Sequence, residues 1–168
     1  MTPIEASDIK AANQGDAEAQ YNLGNFYFTG QGVNKNYTVA VKWFRKAAEQ
    51  GHPLAQFMLG QCYDNGFGVI EDENKAAEWY GKAAVQGVSA AQYNLAVCYI
   101  LRQGVAKDYV QAQMWLKIAE ANGNIDKSSL ARMLTSKMSK EVIAEAEVRA
   151  SEWMDTKQAE SNVEQRLS

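Results

Sequence analysis

The feature that most constrains this chain is a fifteen-residue stretch written three times: AQYNLGNFYFTGQGV at 19–33, AQFMLGQCYDNGFGV at 55–69 and AQYNLAVCYILRQGV at 91–105. Tyr21, Phe57 and Tyr93 are each 36 residues apart. A period in that range marks stacked supersecondary units, each of which buries its apolar face only against its neighbours.

Each copy reads as two helices. In the first, helix A, Ala19, Leu23 and Tyr27 recur at i, i+4, i+8 and form one stripe, matched by Ala55, Leu59, Tyr63 and by Ala91, Leu95, Tyr99. Gly24 and Gly60, with Ala96 in the third copy, place minimal side chains inside helix A, a sign of close approach by a second helix. Gly32, Gly68 and Gly104 are common to the turns that follow, whereas Arg102 replaces the earlier Gly30 and Gly66 and predicts a differently closed third turn. Asn36, Asp72 and Asp108 are suited to cap helix B, and Asp108 with Gln111 has capping-box spacing. Helix B then carries Ala40, Trp43, Phe44, Ala47 and their equivalents on one face and stops at Gly51, Gly87 and Gly123.

These marks divide the chain into a single all-α solenoid over 1–154. It comprises a leftover half unit at 4–14, repeats at 15–50, 51–86 and 87–122, and a capping region at 123–154. In that region a helix at 138–154 places Val142, Ala146, Ala150 and Trp153 on one face, suited to closing the end of a stack. Residues 155–168 are polar enough to read as a disordered tail.

Charge and residue types exclude several functions. With 17 Lys+Arg against 20 Asp+Glu, a net charge of −3 and no basic block, nucleic acid is not an expected partner. The longest apolar run, LAVCYIL at 95–101, is far shorter than the ~20 residues of a membrane span. The N-terminus has no basic start followed by an apolar stretch. Cys62 and Cys98 occupy the slot that Phe26 fills in the first copy, which makes them apolar core thiols too far apart to pair. Reduced thiols and the missing signal favour a cytoplasmic setting; a periplasmic one requires a signal removed upstream. No cofactor is expected, since His52 and two cysteines in separate copies cannot form a metal site. His52, before Pro53, reads as a solvated turn residue.

The residues from Ala55 to Gly87, including Lys75, Ala76, Trp79, Tyr80, Lys82, Ala83 and Ala84, follow the pattern A-x-x-x-L-G-x-x-Y-x-x-G-x-G-V-x-x-D-x-x-K-A-x-x-W-Y-x-K-A-A-x-x-G. This resembles the Sel1-like repeat, a relative of the tetratricopeptide repeat, over roughly residues 4–123. Val39, Gln111, Ala96 and Arg102 depart from the pattern. The resemblance implies a right-handed superhelix of helix hairpins that serves as a non-catalytic scaffold for a protein or peptide partner, and the expected state of the chain is a monomer. Members of this family act in bacteria as adaptors, and some as immunity proteins that neutralise a secreted effector enzyme; both are retained as readings. A β-lactam-binding enzyme is the remote alternative, resting on the Ser-x-x-Lys match of Ser7 to Lys10, whose companion motifs are absent.

By analogy with tetratricopeptide geometry, the resemblance places the concave, partner-binding face at Glu18, Tyr21, Asn25, Phe28 and Thr29, then Leu54, Phe57, Gln61, Asp64 and Asn65, then Ala90, Tyr93, Val97, Ile100 and Leu101. The Tyr21, Phe57, Tyr93 ladder suits either partner contact or packing. Val97, Ile100 and Leu101 form an apolar patch that the C-terminal helix is expected to cover.

Overall fold

The computed structural model describes residues 6–101, 103–104, 107–123 and 128–167. In chain order the helices are α1 (Ala6–Asn13), α2 (Ala17–Thr29), α3 (Tyr37–Glu49), α4 (Pro53–Asn65), α5 (Glu73–Val85), α6 (Ser89–Leu101), α7 (Tyr109–Asn122), α8 (Ser128–Thr135) and α9 (Lys140–Leu167). Three hairpins, α2–α3, α4–α5 and α6–α7, stack in sequence, α1 leads the stack and α9 packs against α7 at its far end. The fold is therefore an all-α array of helix hairpins closed by a long C-terminal helix.

Local chemistry sets the boundaries. Asp16, Asn36, Asp72 and Asp108 each accept a bond from the backbone N–H three residues on, at 2.7, 3.0, 3.0 and 3.0 Å. These side chains satisfy donors that a helix start leaves unpaired. Gly51 and Gly87 end α3 and α5 at φ +90°, whereas Gly123 after α7 is extended at φ −171°. The third unit therefore stops without the left-handed turn of the other two, which is where the repeat register is lost.

The common turn glycine has a packing reason. A Cβ on Gly68 would collide with the backbone of Tyr37 at the start of α3, and one on Gly104 with the backbone of Glu73 at the start of α5. Each turn thus seats backbone to backbone on the first turn of the preceding unit's B helix. Arg102 lies outside the described residues, but the bonds around it match the other turns. Gln103 N–H donates to Cys98 O at 3.0 Å as Phe67 N–H does to Cys62 O at 2.9 Å, and Gly104 has φ +69° beside +72° at Gly68. The expected difference in closure falls on Arg102 and so lies outside the described residues; at the described positions the third turn follows its neighbours.

The core runs continuously through the stack and includes Phe44, Leu59, Cys62, Tyr80, Leu95, Leu116 and Ile118. In α9, Ala146 and Ala150 are buried, Val142 and Trp153 are half-buried, and the Trp153 ring meets Trp115 edge-on at 5.5 Å. The expectation of disorder after Met154 is corrected, since α9 continues to Leu167. Polarity alone does not prevent a helix. Residues 155–167 contain no Gly or Pro, and Lys157–Glu160 at 2.7 Å and Gln158–Asn162 at 3.1 Å support the helix from its own surface.

Candidate partner-binding face

The A helices α2, α4 and α6 carry equivalent residues at a 36-residue interval. Tyr21, Phe57 and Tyr93 are half-buried and pack on the core. Tyr21 lies 6.1 Å from Phe44 and Phe57 6.0 Å from Tyr80, centroid to centroid. Part of each ring is thus committed to packing.

Asn25, Gln61 and Val97 are half-buried in one slot, and Thr29, Asn65 and Leu101 are exposed in another. The Thr29 hydroxyl donates to Asn25 O at 2.8 Å and the Asn65 amide to Gln61 O at 3.0 Å, so these side chains lie along their own helices. Leu54 and Leu101 are 44% and 58% exposed, making them apolar groups open to a partner.

The slot of Phe28, Asp64 and Ile100 behaves differently. Ile100 is buried and belongs to the core, which corrects its assignment to the groove. Phe28 packs among Tyr37 at 5.0 Å, Phe44 at 6.0 Å and Phe67 at 5.8 Å, bridging the first hairpin to the second turn. Asp64, half-buried, accepts a bond from the Tyr80 hydroxyl at 3.1 Å. Burial first, and then the Asp64 charge, push that hydroxyl's pKa well above its ordinary value, so it stays a donor. The expected covering of the apolar patch by the C-terminal helix is corrected too: α9 packs on α7, Ile100 is covered within the stack, and Leu101 remains exposed.

His52 is not a solvated turn residue. Its Nδ1 accepts the Ala55 N–H at 3.1 Å as the N-cap of α4, its Nε2 lies 3.0 Å from Glu18 Oε2, and its ring stacks on Tyr21 at 4.7 Å. With Nδ1 accepting, the neutral ring carries its proton on Nε2 and donates it to Glu18. The side chain is only 10% exposed, so the ring closes the seam between the first two A helices.

Sequence reasoning missed a buried amide ladder behind this face. Gln20, Gln56 and Gln92 donate to Ala12 O, Ala48 O and Ala84 O at 3.0, 3.1 and 3.0 Å, each bridging to the helix before it. Gln50, Gln86 and Asn122 in turn donate to their side-chain oxygens at 2.8, 2.7 and 3.4 Å. The signal was present, because Gln follows Ala in all three copied stretches. Among the described residues no group of His, Cys, Asp and Glu is arranged to hold a metal ion, and no helix is long and apolar enough to cross a membrane.

Comparison with known proteins is consistent with this architecture. The Sel1 repeat family profile matches residues 17–52, 53–88 and 89–124. These units begin at the first residues of α2, α4 and α6, two positions after the divisions drawn at the stop glycines. No curated protein matches the chain. Among solved structures, a protective antigen of uropathogenic Escherichia coli with an SLR fold is 41% identical at a TM-score of 0.81, over 88% of this chain and 32% of that one. The present chain therefore spans about a third of that antigen's length. A Sel1 repeat protein from Oxalobacter formigenes is 40% identical at a TM-score of 0.69, covering 75% of this chain and 95% of its own. The cysteine-rich protein B of Helicobacter pylori shares the fold at 24% identity and a TM-score of 0.58, over 74% and 89% of the two chains. Repeat spacing, hairpin stacking and these matches together show that the chain belongs to the Sel1 repeat family.

Proposed function

We propose that the chain is a non-catalytic scaffold that holds a segment of another protein along the face of α2, α4 and α6. One observation carries this reading. Behind the face, the packing residues are nearly the same in each copy, whereas the positions bordering solvent change chemistry from Asn25 to Gln61 to Val97 and from Thr29 to Asn65 to Leu101. A surface that varies over a constant frame is suited to reading a partner's side chains in order. The state of the reactive side chains supports the absence of catalysis. His52 is engaged as a helix cap, and burial pushes the Cys62 and Cys98 thiols up to about 12, so neither is a thiolate near neutral pH.

The test is affinity capture from host-cell lysate with the native chain and with a folded Asn25→Arg, Gln61→Arg double variant. Selective loss of one partner from the variant supports the face; retention of the same partner by both overturns it. β-Lactam turnover abolished by Ser7→Ala would overturn the non-catalytic reading.

A second reading, an immunity protein that neutralises a secreted effector enzyme, draws on a different feature. Ile70 is 90% exposed on the turn beside the stacked Tyr37 and Phe67 rings, 4.9 Å apart. An inhibitor that inserts a loop edge into an enzyme would lose its target on Ile70→Asp while the groove variant kept it.

A further inference from the structure

Charge is sorted between the two kinds of helix. The three A helices have 13 residues each and contain no Lys or Arg; their acidic residues are Glu18 and Asp64. The B helices hold Lys42, Arg45 and Lys46 in α3, Lys75 and Lys82 in α5, and Lys117 in α7. Carboxylates near those helices have cations beside them, Asp72 with Lys75 at 2.8 Å, Glu78 with Lys82 at 2.6 Å and Glu147 with Lys117 at 2.9 Å. Asp64 has none among the described residues.

Asp64 also differs from its counterparts in the other two copies. It occupies the slot that holds Phe28 and Ile100 in the other copies, half-buried with a neutral tyrosine hydroxyl as its partner. A carboxylate accepts about four hydrogen bonds, and among the described residues the Tyr80 hydroxyl supplies one. A cation brought beside it would add charge-assisted hydrogen bonds at the acceptor sites that Tyr80 does not fill.

We propose that the partner segment is cationic and presents a Lys or Arg side chain to Asp64, with apolar side chains directed to Val97 and Leu101. The inference rests on the scaffold reading above and supplies the chemistry of its partner. Glu18 lies on the same face and adds to the field that draws a basic segment in. An acidic segment would meet two carboxylates and no Lys or Arg along α2, α4 and α6.

Selection of random dodecapeptides on the immobilised full chain tests this, followed by anisotropy titrations of the enriched sequences. The expected result is enrichment of Lys and Arg with depletion of Asp and Glu, and affinities that fall with added salt. Asp64→Asn keeps the shape and can still accept from Tyr80. It should weaken binding about tenfold, while Glu49→Gln, an equal change in net charge on a B helix, leaves it unchanged. Peptides that are lost with Asn25→Arg, Gln61→Arg but show no basic bias and ignore Asp64→Asn would overturn the cationic partner and leave the scaffold intact. Enriched peptides that bind the double variant equally well, or no enrichment at all, would remove the groove itself and this proposal with it.

Discussion

At the residue scale the repeat is organised around one contact between a small side chain and a ring. A Cβ on Gly24 would lie 2.5 Å from Phe44 Cδ1, and one on Gly60 would lie 2.7 Å from Tyr80 Cδ1. In the third copy Ala96 takes the glycine position and Leu116 the ring position, so a methyl group appears where the opposing side chain is no longer a planar ring. Gly60→Ala should therefore destabilise by about 1–3 kcal/mol in urea titrations, and by clearly less in a Tyr80→Leu background. Gly81, on the open side of α5 with nothing within 4 Å of its added Cβ, should respond to the same substitution with a gain of up to about 1 kcal/mol. Close approach at Gly60 was legible in the sequence, because a glycine inside a helix weakens it and, repeated at a fixed period, fits a site with no room for a Cβ. Its partner was not, since periodicity places residues on faces without pairing faces across a turn. A second expectation concerns the thiols. Cys62 and Cys98 are buried, with pKa values pushed up by desolvation, and should resist a colourimetric thiol reagent at pH 8 until guanidinium unfolds the chain, when both react. Labelling of either thiol in the native state at the rate of the unfolded chain would contradict that burial.

At the element scale, helix A is tied to the preceding B helix by the amide ladder as much as by apolar contact. Gln92 is fully buried, donates to Ala84 O and accepts from Asn122. Gln92→Leu preserves volume but leaves Ala84 O with the Gly87 N–H alone and the Asn122 amide without its acceptor, so it should cost about 1–3 kcal/mol, while Gln61→Leu on the solvent-bordering side should cost much less. Equal losses at the two positions would show that volume, not hydrogen bonding, sets the cost. The ladder escaped sequence reasoning because hydrophobic periodicity counts apolar positions, and a polar residue in an apolar stripe reads as an interruption. Helix ends were more transparent, since Asn36, Asp72 and Asp108 are competent caps wherever a helix follows. The role of His52 was hidden for a related reason: imidazole is an unusual cap, and its second partner, Glu18, lies in the preceding repeat 34 residues away. The groove was legible as a set of slots but not as a surface. Separating Ile100 from Leu101 requires knowing which way helix A is rolled against helix B.

At the scale of the molecule, the decisive question is how the stack ends. Trp43 and Trp79 lie on the B helices beneath Lys46 and Lys82, whose ammonium groups stand 4.5 and 4.1 Å from the ring centres. In the third copy the lysine position is Ile118, fully buried, and Trp115 meets Trp153 of α9 instead. The cap therefore replaces a solvated cation with an apolar seat at the one unit that has no successor. Beyond Trp153 the helix draws away, leaving a gap of about 750 Å³ bordered by Val85, Asn122 and Met154. The two halves of α9 should consequently differ in what their removal does. A chain ending at Met154 retains the Trp115 contact and should melt within about 3 °C of the full chain, because most of residues 155–163 are exposed. A chain ending at Ser139 uncovers Trp115 and the neighbouring face of α7, and should show a markedly lower Tm and concentration-dependent self-association on size-exclusion chromatography. Ile118→Lys separates seat from length: it restores the residue type of the first two copies but places an ammonium under α9, and should reproduce, in a chain of full length, the loss expected on ending at Ser139. If Ile118→Lys melted and eluted with the full chain, α9 would not be the element that closes the stack.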